Sequence, residues 1–393
     1  MKIAHLTTID MSLRYLLLPQ LEAALDLGES IGISAAGQFV PDLEARGIRH
    51  IPLSASTRGM NLLADLRAVA QLWRALRAER PDILHTHNPK PGVYGRIVGR
   101  LARVPIVINT VHGLYATPES SLPKRLVVYA LEWLASRFSD AELIQSPEDF
   151  DLLWRKRIMP RSKLRLLGNG VDLGRFRPEA ELRRTVRSEL DLGEEQIAVG
   201  LVARLVEEKG VPELIEASRE LDDRFVVLII GPRDPEKSDA VSEQLLAQAE
   251  ADGVRFLGMR QDVERVYQGL DVFVLPSHRE GFPRAAMEAA ASGLPVIATD
   301  IRGCRQVVAD GVNGLLFPVK DVGALTRAIT RVGDDAALRS AMSRASVDRA
   351  RDNFDERQIV NRVMGAYADI AAAKGLYPDL VARWGSAGSI TPG

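Results

Sequence analysis

From Asn61 to His87 the chain reads NLLADLRAVAQLWRALRAERPDILHTH, and this stretch decides the fold. Leu62, Leu66, Val69, Leu72, Trp73 and Leu76 recur with the 3.6-residue period of an amphipathic helix over Asn61 to Glu79. Asp82 to His87 then forms a short run of strand type. A helix passing into such a strand is half of a βαβ unit, and the alternation continues in both directions. Lys2 to Thr7, Ile31 to Ala35 and Ile48 to Leu53 lie before it, and Pro105 to Thr110 and Ala141 to Gln145 lie after it. That rhythm calls for a parallel sheet and one doubly wound α/β domain closing near residue 168.

A second series repeats the pattern at Ile197 to Ala203, Phe225 to Ile230, Val254 to Leu257, Val272 to Leu275 and Pro295 to Thr299. The turn-forming run Gly168-Asn169-Gly170-Val171-Asp172 between the two series is read as a hinge. The expected division is 1–168 for the first domain, 169–374 for the second with its trailing helices, and 375–393 for a frayed tail.

A chain of 393 residues with 46% hydrophobic and 26% charged residues has room for two cores. Cys304 is the only cysteine, which excludes an internal disulfide and any thiolate metal cluster. With no secretion signal visible after Met1 and no apolar run near the roughly 18 residues of a spanning helix, a cytoplasmic protein is expected. Residues 1–170 carry 22 Lys+Arg against 16 Asp+Glu and the remainder 29 against 36, so the first half is basic and the second acidic. Either the first half meets an anionic surface or diphosphate, or this is ordinary surface variation. Arg96, Arg100 and Arg103 fall at i, i+4 and i+7 as a basic stripe, and with amphipathic Leu122 to Phe138 they suggest docking at the inner face of an anionic membrane; a solvated face is the alternative.

Two stretches at strand ends carry the chemistry. In Ser277-His278-Arg279-Glu280-Gly281-Phe282-Pro283-Arg284-Ala285-Ala286-Met287-Glu288, the carboxylates of Glu280 and Glu288 can accept hydrogen bonds from hydroxyls. The amides around Gly281, Phe282 and Arg284 suit a phosphate at a helix N-terminus. In Val202 to Gly210, Arg204 supplies a planar fork and Lys209 a mobile point charge, a pair suited to a departing diphosphate. Taken singly, the glutamates read as ordinary helix residues and Arg204 as a surface ion-pair partner.

Together these residues resemble the retaining GT-B glycosyltransferases of the family 4, or group 1, type. The resemblance rests on Arg204 and Lys209, the E-x7-E pair Glu280 and Glu288, Gly293-Leu294-Pro295-Val296-Ile297-Ala298-Thr299, Asp310-Gly311-Val312-Asn313-Gly314-Leu315-Leu316 and Asn169-Gly170-Val171-Asp172. It implies an α/β GT-B fold, with two Rossmann-like doubly wound domains facing a cleft. A sugar would move from a nucleotide-diphosphate sugar, UDP-sugar favoured, to a glycan or lipid-diphosphate-linked acceptor, with no cofactor, metal or nucleic acid. Glu288 would hold the ribose, Glu280 the transferred sugar, and Arg204 and Lys209 the diphosphate. Met259, after Phe256-Leu257-Gly258, would lie beside the base or else in the core. His112 in Asn109-Thr110-Val111-His112-Gly113 resembles the family's cleft histidine, which lies close to the transferred sugar, and is the catalytic candidate; the alternative is a structural histidine. His85, His87 and Lys90 are placed on the acceptor side, with a His85/His87 metal pair as the competing reading. Where the family has a glycine-rich loop, this chain has Thr7 to Arg14 without glycine, so Ser12 or Arg14 would make the contact by side chain. The rival functions are a sugar-nucleotide epimerase on the same fold and a non-catalytic sugar-nucleotide-binding protein.

Overall fold

The computed structural model describes residues 1–385 apart from positions 58, 60, 119 and 236. It contains two compact units, one formed by Met1–Gly168 with the segment from Arg357 onward, the other by Asn169–Glu356.

The first unit is a seven-stranded sheet of β1 (Lys2–Ile9), β2 (Glu29–Ala35), β3 (Arg49–Pro52), β4 (Ile83–Thr86), β5 (Ile106–Val111), β6 (Ala141–Ile144) and β7 (Leu164–Leu166). The order is β3-β2-β1-β4-β5-β6-β7 and every pair is parallel. Every residue of β4, β5 and β6 is buried, as a sheet covered on both faces requires, so these strands read as continuous runs without alternation.

The second unit holds β8 (Ile197–Val202), β9 (Phe225–Ile230), β10 (Arg255–Gly258), β11 (Val272–Leu275), β12 (Val296–Thr299) and β13 (Gly314–Phe317). Their order is β10-β9-β8-β11-β12-β13, again all parallel. In each sheet the order reverses once, between β1 and β4 in the first and between β8 and β11 in the second. Carboxyl ends of strands at such a reversal are where open α/β sheets bind ligands.

Four expectations are corrected. The helix Glu356–Lys374, assigned by sequence to the second domain, packs from Arg357 on against the first unit. Ile359, Val363, Met364, Tyr367 and Ala371 share a core with Ile3, Ile83, Ile106 and Leu143 of the first sheet. The expected tail begins with another helix, Pro378–Trp384, whose Leu380 enters the same core, while 386–393 lie outside the described residues. No loop follows β1, because the helix Asp10–Leu16 starts at once and the Asp10 carboxylate accepts from the amides of Met11 and Phe39, both at 2.8 Å.

The basic stripe does not exist as a surface. Arg96 is wholly buried in the helix Pro89–Leu101, donating to Gly92 O (2.6 Å), Glu142 (2.8 Å) and Glu132 (2.7 Å). Arg100 is paired with Asp140 at 2.7 Å, and Arg103 lies beyond the helix end with φ 63°. The neighbouring amphipathic segment is a helix, Leu122–Ala135, of which only Ala135 is buried. Leu122, Leu126, Val127, Leu131, Trp133 and Leu134 are exposed.

Candidate active site

In the second unit the two charged motifs meet at the switch point. Glu207–Lys209 forms a single 3-10 turn shortly after β8, and Gly210 closes it with φ 70°. A Cβ at Gly210 would stand 2.1 Å from Pro276 O, so only glycine lets this turn approach the end of β11. Lys209 Nζ thereby reaches Glu280 Oε1 at 2.6 Å, and Ser277 Oγ donates to the same oxygen at 2.8 Å. The two segments are joined three more times, by His278 N to Glu208 O (2.8 Å), by Arg279 Nε to the Glu208 carboxylate (2.9 Å) and by a 2.7 Å contact of His278 Nε2 with Glu213 on the helix Val211–Ser218. Behind Glu280, a Cβ at Gly303 would lie 2.6 Å from the Glu280 carbonyl, so the backbone there is held from both sides.

Arg204, two residues past β8, is bonded to Asp234 at 2.5 Å and keeps 39% of its side chain exposed. Its guanidinium is held by a carboxylate that another anion can replace. Glu288 stands on the helix Arg284–Ala291, where Arg284 Nε donates to one of its oxygens at 2.9 Å and Tyr267 OH to the other at 3.3 Å. Burial raises its pKa against the opposing effect of Arg284. The helix is capped by Pro283 and carries no side-chain cap, so its first amides are left for another acceptor. Asn169 anchors the approach by donating to Phe282 O at 3.3 Å. Met259 follows Gly258 (φ 63°) and is exposed, which excludes the core alternative for it.

The sequence model of "Glycosyl transferases group 1" matches residues 183–349, and that of "Glycosyl transferase 4-like domain" matches 26–170. The chain belongs to the group 1 glycosyltransferases. It is 29% identical over 325 residues, 81% of its length and 83% of the relative's, to the UDP-Gal:alpha-D-GlcNAc-diphosphoundecaprenol alpha-1,3-galactosyltransferase of Escherichia coli. With the N,N'-diacetylbacillosaminyl-diphospho-undecaprenol alpha-1,3-N-acetylgalactosaminyltransferase of Campylobacter jejuni it shares 25% over 376 residues, 93% of this chain and 98% of that one. Among solved structures, HepE of Anabaena in complex with UDP superposes with a TM-score of 0.79 at 22% identity, over 94% of this chain and all of the other, which establishes the GT-B fold.

In the first unit of this glycosyltransferase the expected site residues are distributed differently. His112, just past β5, is half-buried; its Nε2 faces Nδ1 of His87 at 3.1 Å, and burial lowers its pKa to about 4. His87, expected on the acceptor side, is buried and also touches His5 Nδ1 at 3.2 Å. His85 is buried between Tyr367 OH and Thr110 Oγ1, both at 2.7 Å. Lys90 is engaged by Thr57 O, Gly59 O and Asp65. Arg14 is paired with Asp42, and Ser12 is half-buried inside the helix Asp10–Leu16.

The sequence reading missed His5, which brings a third imidazole to the His85/His87 pair: ligand atoms of His5, His85 and His87 all lie within 4.8 Å of one another. The available signal was a histidine inside a run, Ile3-Ala4-His5-Leu6, that is otherwise apolar. It also passed over Asp149-Phe150-Asp151, which has the D-x-D spacing of metal-using transferases. That triplet lies in the helix Pro147–Arg155, where side chains two apart point to opposite sides. Asp149 accepts from Leu114 N at 2.9 Å, and Asp151 faces Arg155 at 3.6 Å.

Proposed function

We propose that this glycosyltransferase moves a hexose or N-acetylhexosamine from a UDP-sugar to a lipid-diphosphate-linked glycan, with retention at the anomeric carbon and without a metal. The carrying observation is the 2.6 Å bond of Lys209 to Glu280, which unites two motifs 71 residues apart at the β8/β11 reversal. Glu288 takes the ribose hydroxyls, Glu280 the transferred sugar, Met259 the side of the base, and His112 a hydroxyl of the sugar or acceptor. As the diphosphate departs its charge grows. Arg204, Lys209 and the open amides at Gly281, Phe282 and Arg284 are the groups that stabilise it. The choice of donor and acceptor is supported by relatives whose names specify UDP-Gal and diphosphoundecaprenol-linked glycans.

With a lipid-linked acceptor, the site of action in this reading is the cytoplasmic membrane surface. No helix among the described residues is long and apolar enough to cross a membrane. Docking rests on the outward apolar side chains of Leu122–Ala135 and on a neighbouring depression lined by Arg137, Trp154, Arg155, Arg157 and Arg161, which is complementary to anionic headgroups.

The test is a screen of UDP-, GDP- and dTDP-sugars with diphosphoundecaprenol-linked acceptors, with and without EDTA, the product anomer being read by NMR. UDP-sugar transfer with retention, unchanged by EDTA, is expected. Donor epimerisation without acceptor would overturn the reading, as would donor binding with neither transfer nor hydrolysis.

A further inference from the structure

Four of the chain's six histidines, His5, His85, His87 and His112, gather where the order of the first sheet reverses. His5 is on β1, paired in register with His85 on β4; His87 follows β4 and His112 follows β5. Three of them form a line: His5 Nδ1 to His87 Nε2 at 3.2 Å, then His87 Nδ1 to His112 Nε2 at 3.1 Å. His112 continues the line to the side chain of Gln145, just past β6. At the other end His5 Nε2 is buried and has no partner among the described residues.

A neutral imidazole has one N–H and one lone pair, so each link fixes the next. Because His87 spends both nitrogens in the line, only two arrangements exist, and all rings must reverse together. In one, His5 donates to His87, His87 to His112 and His112 to Gln145, leaving a bare lone pair on His5 Nε2. In the other, every proton moves to the opposite nitrogen and His5 Nε2–H becomes a buried donor without an acceptor. Orphaned buried N–H groups are the rarer defect, and the amide oxygen of Gln145 suits the first arrangement at the far end.

We infer that His5 and His87 are positioning residues that hold His112 in its Nδ1–H tautomer, so that His112 presents a hydrogen-bond donor, which a sugar hydroxyl takes over from Gln145, and does not serve as a proton acceptor. This deepens the proposed function and rests on its placement of His112 at the reacting sugar. The influences on the four rings are burial and the other rings of the set, with Gln145 acting on His112. All four are held below the ordinary histidine range, which agrees with an uncharged line. A metal in the same place would have to break the His5–His87 contact or one of the two bonds of His85 to Tyr367 and Thr110.

The experiment is long-range 1H–15N NMR of the full-length protein labelled at histidine, with the His112 signals assigned by their loss in His112→Asn. A neutral His112 protonated at Nδ1 from pH 5.5 to 8 is expected in the wild type, and a shift toward Nε2–H in His87→Phe. Kinetically, His87→Phe should lower kcat by about 10²-fold, as for one misplaced group, with donor KM unchanged. The inference is overturned by Nε2–H in the wild type, by a His112 titration near 6.5, or by stoichiometric Zn2+ uptake that moves the His5, His85 and His87 signals. Normal transfer by His112→Asn would instead remove His112 from the proposed function and leave the tautomer result standing.

Discussion

The two sheets share a parallel α/β plan with one reversal of strand order each, yet they place opposite chemistry at that reversal. At β8/β11 the side chains are charged and partly open, joined as Arg204–Asp234, Lys209–Glu280 and Arg284–Glu288. At β1/β4 they are uncharged imidazoles, with His5, His85 and His87 fully buried. The first unit does contain charges, but in the set of Arg96 with Glu132 and Glu142 the arginine and Glu142 are wholly buried and Glu132 is half-buried. The same backbone plan therefore supports a site whose ions can exchange partners and a site whose polar groups are fixed. Only the former suits a ligand that arrives charged and leaves more charged.

The sharpest way to break this contrast is to treat the two arginines alike. Arg96→Met strands the buried Glu142 and the half-buried Glu132 and should cost about 3–5 kcal/mol in urea unfolding; a loss below about 1 kcal/mol would show that the interior ions are not closed off. Arg204→Ala or Lys209→Ala should lower turnover by roughly 2–4 kcal/mol of transition-state stabilisation with little change in stability. Near-normal transfer in both variants would remove the diphosphate site.

Acid sharpens the comparison from the other side. Burial lowers His5 to about 3 and His112 to about 4, against 6.5 for a free histidine. The unfolded chain therefore binds more protons between those values, and the stabilising difference is complete above 6.5 and is lost as pH falls toward 4. Each such histidine contributes at most about 1.4 kcal/mol per pH unit, read as Tm against pH, and His5→Leu should flatten the slope. The smallest effect concerns Leu126→Ser on the exposed helix. Stability should change by less than about 0.5 kcal/mol, while flotation with anionic vesicles falls; unchanged flotation would end the docking proposal.

What could be read without coordinates follows from how local each signal is. The interior strands were legible because β4, β5 and β6 are buried on both faces and appear as short unbroken runs. The meeting of Lys209 with Glu280 was legible because motif order placed both in segments that follow strand ends, with Glu288 on the helix that comes next. Arg96 was not, since helical spacing reports which residues share a face but not that Glu132 and Glu142, 36 and 46 positions away, lie against it. The helix Glu356–Lys374 failed for the same reason: apolar spacing marks a buried face without saying which sheet buries it. His87 was misplaced because a polar residue after a strand looks exposed, whereas here it is enclosed by other imidazoles.

That returning helix has a consequence for synthesis. Asn169–Glu356 is a continuous piece inserted within a unit that needs both earlier and later residues. As the chain leaves the ribosome, the insert has its whole sequence available while the sheet that began first still lacks Met364, Tyr367 and Leu380 for its core. Vectorial folding should therefore complete the middle of the gene product before its beginning, and the earliest strands wait longest for cover.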